Sequence, residues 1–401
     1  MKKSLLALAV SALAAASIAS TASATTVYDK DGTSMGIYGR VQSVYYSEHH
    51  GTDKTEGSID TSARMGFDLR TPLTSGIDVF ALAEWEAANG NGKNDEADGF
   101  DARYLWVGFD FGQFGQVKIG KFEEAIKYAI GPTDHWEDAG CTGLAGNDDR
   151  SESVIMYQWS GYGVDAYISY AMARDNEHLD GAYYIGENVD RDWSASAALG
   201  YTSPDVLFGP IGVRVGYLAG ELNQDNSVFD RTKGTVTGTN VVYSGGNTYS
   251  EYDSYDQWAV SAFWGTLAQG PYMAVAYQCR TFDINDYTYN TTNGVWDKTT
   301  GDYDVSGLEF TVAYTFQNGL RLATGYEMQT IEFDGDEDSD VDAVTVPILA
   351  LWKVNPNFDV WAECRLDAGT DDDDNGGKNF DAEAGTYYSE NVFSFGARYN
   401  F

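Results

Sequence analysis

The side chains able to do chemistry in this sequence are mostly acids, and their most informative set lies between Phe122 and Arg150. Glu123, Glu124, Asp134, Glu137 and Asp138 share this one segment, which lacks strand alternation. It sits between two segments that read as strands, Gly115 to Lys121 and Ser153 to Trp159. Carboxylates gathered in this way can serve as general bases, as ligands for hard cations, or as fixed charge along a water-filled path. A general base needs a nucleophile or an activated water beside it. The four histidines, His49, His50, His135 and His178, all fall in loops, and no Ser or Asp stands at a spacing that argues for a dyad. Cation ligation is no better supported. Asp334, Asp336, Asp338 and Asp340 alternate but lack the full calcium-loop spacing, and Asp371 to Asp374 and Asn94 to Asp98 read as solvated loop tips. Cys141, Cys279 and Cys364 fit no zinc spacing, so no metal or cofactor is expected. The third role remains. The segment also carries Phe122, Ile126, Tyr128, Ile130, Trp136 and Leu144, which have apolar surface to bury. A long patternless segment in a regular β-protein is functional or disordered, and those apolar side chains argue for order. We expect it to fold into the lumen of a barrel and to set the size and charge of a pore.

The chain must first supply the barrel. Lys2 and Lys3, the apolar run Leu5 to Ala16 and the small residues Ala22-Ser23-Ala24 make residues 1–24 a Sec-type signal peptide. Residues 25–401 are then a single domain. No later stretch holds some 20 consecutive apolar residues, so no helical span is expected. A membrane β-barrel is compatible with this, because only every second residue faces lipid. The 28 Tyr, 19 Phe and 10 Trp suit girdles at the two membrane interfaces, and the 44 Gly suit close strand packing and turns. The formal charge of −36, or −38 once Lys2 and Lys3 are removed, excludes nucleic acid as a partner.

The strands follow in order. Met35 to Tyr46 is the first, with Ile37, Val41 and Tyr45 on one face and Tyr38, Arg40 and Gln42 on the other. Thr61 to Arg70 is the second, with Ala63, Met65, Phe67 and Leu69 opposite Arg64, Asp68 and Arg70. Ile77 to Ala88 and Phe100 to Asp110 precede the strand that leads into the acidic segment. Beyond Trp159 the rhythm continues through Val164 to Met172, Asp192 to Tyr201 and Pro210 to Glu221, then a polar loop from Leu222 to Glu251. Three further hairpins turn at Ala268-Gln-Gly270, Gln317-Asn-Gly319 and Asn355-Pro-Asn357. Ser389 to Phe401 is last, with Phe393, Phe395, Ala397, Tyr399 and Phe401 in one row and Arg398 and Asn400 in the other. The expected fold is an all-β transmembrane antiparallel barrel of about sixteen strands. The last strand must pair with the first, since a bare edge in lipid leaves backbone groups without partners.

Three motifs now resemble one family, the Gram-negative general-diffusion porins. They are Ile37-Tyr-Gly-Arg40, then Arg103-Tyr-Leu-Trp-Val-Gly-Phe109 with Phe114-Gly-Gln-Val-Lys-Ile-Gly-Lys121, and the C-terminal strand ending in Phe401. The resemblance spans essentially the whole chain after the signal peptide. It implies a trimeric sixteen-stranded barrel in the Gram-negative outer membrane, whose third loop, 122–150, folds inward. It also implies a ladder of basic strand residues facing loop acids. Arg40, Arg64, Arg103, Lys121 and Arg150 stand where such rungs belong, opposite Glu123, Glu124, Asp134, Glu137 and Asp138. Lys121 shares parity with Val117 and Ile119, so it reaches the lumen only if a bulge shifts the register. The family's Pro-Glu-Phe-Gly-Gly is absent from the loop, and Gly131-Pro-Thr-Asp-His-Trp-Glu137 stands there. The resemblance further implies a trimer contact over strands one to five, with Gly36, Gly39, Ala63 and Gly66 among its small residues. Other implied partners are the barrel-assembly machinery, met through the end of the chain at Phe401, and lipid and lipopolysaccharide, met through divalent cations at the acidic loops. The function implied is passive diffusion of ions and small hydrophilic solutes, with a weak cation preference from the charge balance. A channel specific for a sugar or peptide is the alternative; it would need an aromatic track, and only Tyr38 and Trp361 are read as inward.

Overall fold

The computed structural model describes residues 24–47, 57–89, 100–138, 140–143, 145–146, 150–186, 188–223, 230–237, 240–244, 247–333, 341–370 and 391–401. Residues 1–23 of the segment expected to be a signal peptide, and the acidic runs at 94–98, 334–340 and 371–374, lie outside these residues.

Alternation of apolar and polar side chains forms strands here because one face meets lipid and the other the interior. The first strands are β1 (Thr25–Lys30), β2 (Thr33–Tyr46), β3 (Ser58–Thr74), β4 (Ile77–Asn89), β5 (Phe100–Asp110) and β6 (Gln116–Glu123). After the acidic segment, which holds one short helix, α1 (Lys127–Ile130), come β7 (Arg150–Gly161), β8 (Val164–Ala171), β9 (Arg174–His178), β10 (Asn188–Val206) and β11 (Gly209–Leu222). A separate hairpin, β12 (Asp230–Thr237) and β13 (Asn240–Ser244), occupies part of the stretch read as a polar loop. The wall resumes with β14 (Thr248–Gly265), β15 (Gly270–Asn290), β16 (Val295–Thr315), β17 (Leu320–Phe333), β18 (Val341–Asn355), β19 (Phe358–Asp367) and β20 (Val392–Asn400).

Eighteen of these strands form one antiparallel sheet. β9 continues β8 along β10, and β1 continues β20 along β2, so the wall has sixteen strands. Closure is made where β2 pairs with β20, and Gly39 and Phe401 exchange both backbone hydrogen bonds at 2.9 and 3.0 Å. No edge is left bare there, as lipid requires.

The outward rows are apolar: Val41 and Tyr45 on β2, Leu105 and Val107 on β5, Phe393 and Phe395 on β20 are all exposed in the isolated chain. At the rim of short turns, indole N–H groups close onto turn carbonyls. Trp159, Trp264 and Trp352 donate to Gln113, Val206 and Asn318 at 3.1, 2.8 and 3.0 Å. These rings keep an apolar body toward lipid and a bonded polar tip, as an interfacial girdle needs. Cys279 falls in the outward row of β15 with Met273, Val275 and Tyr277. Of the small residues expected at a trimer contact, Gly39 and Ala63 face out. Gly36 and Gly66 share the inward parity of Tyr38 and Arg64, and a Cβ at Gly66 would meet the Tyr38 ring.

The interior is not an empty tube. Ile126, Ile130, Leu179, Tyr252, Phe282 and Tyr303 belong to one buried apolar cluster on the inner face of β10 to β17. Its existence follows from chain segments lying against that wall.

Candidate functional site

The acidic segment is positioned by small wall residues and by wall carboxylates. Ser169 on β8 and Ser194 and Ser196 on β10 present short hydroxyls inward. Ser169 accepts from Ala125 N at 3.0 Å and Ser196 from Ile126 N at 2.7 Å. Ser261 donates to Ala129 O within α1; past the helix, Tyr272 donates to Pro132 O, and His135 meets Thr311 at 2.8 Å. Buried glutamates then hold the backbone. Glu363 accepts from Glu137 N and Asp138 N at 2.9 and 3.3 Å, Glu327 from Cys141 N and Thr142 N at 3.1 Å each, and Glu309 from Gly143 N at 3.2 Å. The segment thus travels out along β8 to β19 and returns above itself along β18 to β14. Contact on the return is close enough that a Cβ at Gly307 would lie 1.6 Å from Gly143 O, so only glycine fits at that wall position.

Each acid of the segment has its own environment. Glu123 closes the neck: Tyr104 donates to it at 2.5 Å and Arg150 Nε lies 3.4 Å away. Glu124 is buried and accepts from Ser194 and Ser169. Asp134 takes Lys127 Nζ at 3.0 Å and the Cys141 thiol at 3.4 Å, which fastens the outward run to the return. Burial alone would raise Asp134, but Lys127 outweighs it and holds the carboxyl below the usual carboxylate range. Glu137 is paired with both terminal nitrogens of Arg398 at 2.6 and 3.1 Å. Asp138 accepts from Tyr46, Trp361 and Ser394 at 3.1, 2.5 and 2.7 Å.

The basic set gathers on the part of the wall the segment leaves open. Arg40 and Arg64 are cross-strand partners on β2 and β3. Arg103 joins them through a bulge: β4 pairs Glu84 with Tyr104 and then Trp85 with Ala102, so Arg103 is the extra residue and turns inward. Two acids that sequence reading did not single out, Glu84 and Glu86 on β4, thread this ladder. Glu86 takes Arg64 Nε and Arg103 Nη1 at 2.7 Å each and Arg40 Nη2 at 3.7 Å, and Glu84 takes Arg103 Nε at 3.1 Å. Their signal was the alternation Glu84-Trp85-Glu86 on the inward parity between two arginine strands. Arg398, pairing with Gln42 in register, extends the arc one strand beyond Arg40 and is where the loop's Glu137 reaches it.

Lys121 is the exception. A register shift does occur between Gly120 and Phe122 against β7, but the extra residue belongs to β7. Lys121 therefore stays opposite the outward Leu105, with Nζ 3.6 Å from Glu152. Arg150 lies at the neck beside Glu123 and Tyr104, apart from the ladder. The structure thus brings together Arg40, Arg64 and Arg103, places Glu137 and Asp138 at the end of that arc, and leaves Lys121 outside.

The sequence model of the Gram-negative porins matches residues 7–346. This chain belongs to the Gram-negative porin family. Similar relatives of the porin include outer membrane porin F of Salmonella typhi, 25% identical with 91% of this chain and 92% of the relative covered. OmpD of Citrobacter koseri is 26% identical over the whole of both chains. Among solved structures, OmpF of Salmonella typhi in complex with daunomycin has a TM-score of 0.66 at 17% identity, covering 94% of this porin and all of that chain. OmpT of Vibrio cholerae in its trimer form gives 0.61 at 18% identity, covering 92% and all of that chain. Family and barrel together place the porin in the Gram-negative outer membrane.

Proposed function

We propose that this porin is a passive, water-filled channel for ions and small hydrophilic solutes, narrowed between loop 122–150 and the Arg40–Arg64–Arg103 ladder. The observation that carries this is the asymmetric lining. The loop is bonded along the inner wall from β8 to β20, while the arginines occupy the wall it leaves open. Opposed charges across a narrow gap order water, so an apolar solute must break that order to pass, and fixed side-chain charge biases ions. Within the ladder, Arg40, Arg64 and Arg103 outnumber Glu84 and Glu86 by one charge, and Glu137, Asp138 and Asp134 stand on the loop side. Loop acids and the net charge of the chain support a weak preference for cations. The trimer form of OmpT and the outward Gly39 and Ala63 support a homotrimer. Export by the segment 1–24, assembly through Phe401 and lipopolysaccharide contact through divalent cations complete the reading.

Against a sugar-specific track stands the use made of the inner aromatics. Trp361, Tyr252 and Tyr303 are 4%, 1% and 1% exposed because they pack under the inward segments, so they offer no continuous stacking surface. Liposome swelling with the refolded porin tests the proposal. Rates should fall smoothly with solute size from arabinose to a trisaccharide, with no sugar saturating. Saturable uptake of one solute would replace the general pore with a specific channel.

A further inference from the structure

The connection between β9 and β10 also turns inward, which neither the strand pattern nor the family resemblance announces. Residues 179–186 lie against the return run of loop 122–150. Gly146 N donates to Asp180 Oδ2 at 2.8 Å, so the two segments are tied together. Leu179 and Ala182 are buried in the inner apolar cluster. Backbone and side chains of the segment then engage four wall strands. Ile185 N donates to the Tyr252 hydroxyl on β14 at 2.9 Å. Arg280 on β15 donates to Asp180 O at 2.5 Å, and Tyr303 on β16 to Gly181 O at 3.0 Å. Tyr184 donates to Asp286 on β15 at 3.2 Å and Tyr183 to Gln329 on β17 at 3.4 Å.

Arg280 is the central bolt. It is 1% exposed, its Nε and Nη2 donate to Gln257 Oε1 at 3.1 and 2.7 Å, and its Nη1 reaches the backbone of the segment at Asp180 O. A buried guanidinium satisfied partly by a loop carbonyl holds that loop firmly, since releasing it would leave a buried charge with an unmet donor. At the free edge Tyr183 and Tyr184 are half-buried and Ile185 is 36% exposed. An inward, bonded segment with an apolar tip occupies lumen cross-section on the long-loop side of the first constriction.

We infer that residues 179–186 form a second size filter in series with loop 122–150, fixed by Arg280 and acting on solutes before they reach the arginine ladder. The inference rests on the pore reading above. Two variants of the whole barrel test it in bilayers and in swelling assays, with heat-modifiable gel mobility reporting that each barrel has folded. Deletion of residues 182–185 should raise single-channel conductance and admit a larger oligosaccharide, while the reversal potential in a salt gradient stays put because the ladder is untouched. The second variant is Ile185→Cys in a Cys141→Ser background, compared with that background alone. A bulky thiol reagent added on the long-loop side should lower its conductance in steps. Unchanged conductance and size cutoff in a folded deletion would overturn the inference. So would a labelled residue 185 with undiminished current. A wild-type protein that conducts nothing would instead overturn the pore reading itself, and the second filter with it.

Discussion

Replacing Glu84 and Glu86 by Gln should shift the ion selectivity of this porin toward anions. Glu86 bonds Arg64 and Arg103 and lies near Arg40, and Glu84 bonds Arg103. The ladder of three arginines and two glutamates therefore carries a net charge of about +1, and the double substitution raises it to about +3. An ion passing roughly 6 Å from each lost charge in water feels about 0.7 kcal/mol per charge, cut to about half by a Debye length of roughly 8 Å at 0.15 M salt. The two removed charges together shift an ion's energy by about 0.7 kcal/mol, which is about threefold in local concentration, in opposite senses for cations and anions. The cation-to-anion ratio should fall by roughly an order of magnitude at that salt, and by less at 1 M, where the Debye length shrinks to about 3 Å. Glutamine keeps the length and one acceptor oxygen, so Glu86→Gln retains one of the Arg64 and Arg103 bonds and leaves the ladder's three positive charges in the lumen. The assay is the reversal potential of the Glu84→Gln, Glu86→Gln variant across a tenfold KCl gradient, at low and high mean salt. A reversal potential equal to that of the wild type at low salt would show that ions do not pass the ladder, and the reasoning would fail.

Other consequences are open to direct measurement. Glu363→Ala removes the acceptor for Glu137 N and Asp138 N, bonds of a class worth about 1.5–3 kcal/mol each; frequent closures and noisier current should follow, and Glu363→Gln should be milder. Quiet, wild-type current in the alanine variant would contradict the anchoring role. His135 is lowered from 6.5 to about 4 by burial, with Arg321 adding repulsion, so the docked loop holds it neutral. A released loop would protonate near 6.5, so docking should lose up to roughly 3 kcal/mol as pH falls from 6.5 to 4, and no more below that. His135→Gln should flatten this part of the acid dependence of current noise, and an unaltered acid profile would refute the assignment. The Cys141 thiol is pushed well above its ordinary range by burial, with Asp134, Glu309 and Glu327 adding to the effect. A charged methanethiosulfonate reagent should therefore modify it slowly at pH 7 and faster at high pH, lowering conductance. Cys141→Ser should abolish that block. Persistence of the block would move the reactive thiol to Cys279 or Cys364.

Much of the barrel could be read from the chain because lipid on one side and water on the other impose strict two-residue alternation. Arg40, Arg64 and the Phe393-to-Phe401 row all sit on the faces their parity assigns. Short strand ends were less legible. β1 and β9 are short, polar and almost wholly exposed, so neither carries the apolar alternation that marks the other wall strands. The hairpin β12–β13 within Leu222 to Glu251 is a local pairing, but its many polar residues resemble those of any loop. Bulges decided two site residues in opposite ways. Arg103 turns inward because the extra residue is its own, and Lys121 stays outward because the extra residue belongs to β7; parity alone cannot say which strand carries the insertion. Nor does a sequence show which charges neutralise one another across strands. Glu84 and Glu86 looked like ordinary strand acids until β4 was placed between the arginines of β3 and β5. Glu309, Glu327 and Glu363 gave no local sign that they would hold the backbone of a loop far away in sequence. Inward folding of residues 179–186 was hidden because its determinants, Arg280 and Tyr303 above all, lie on strands about 100 residues away.

The most direct test of the central claim is single-channel conductance of the purified, refolded protein in a planar bilayer across a range of KCl concentrations. A passive trimeric pore predicts current steps that close in groups of three, with conductance rising in proportion to salt and no block by any one sugar or peptide. Absence of conductance, or current that saturates and is blocked by a single solute at low concentration, would contradict it.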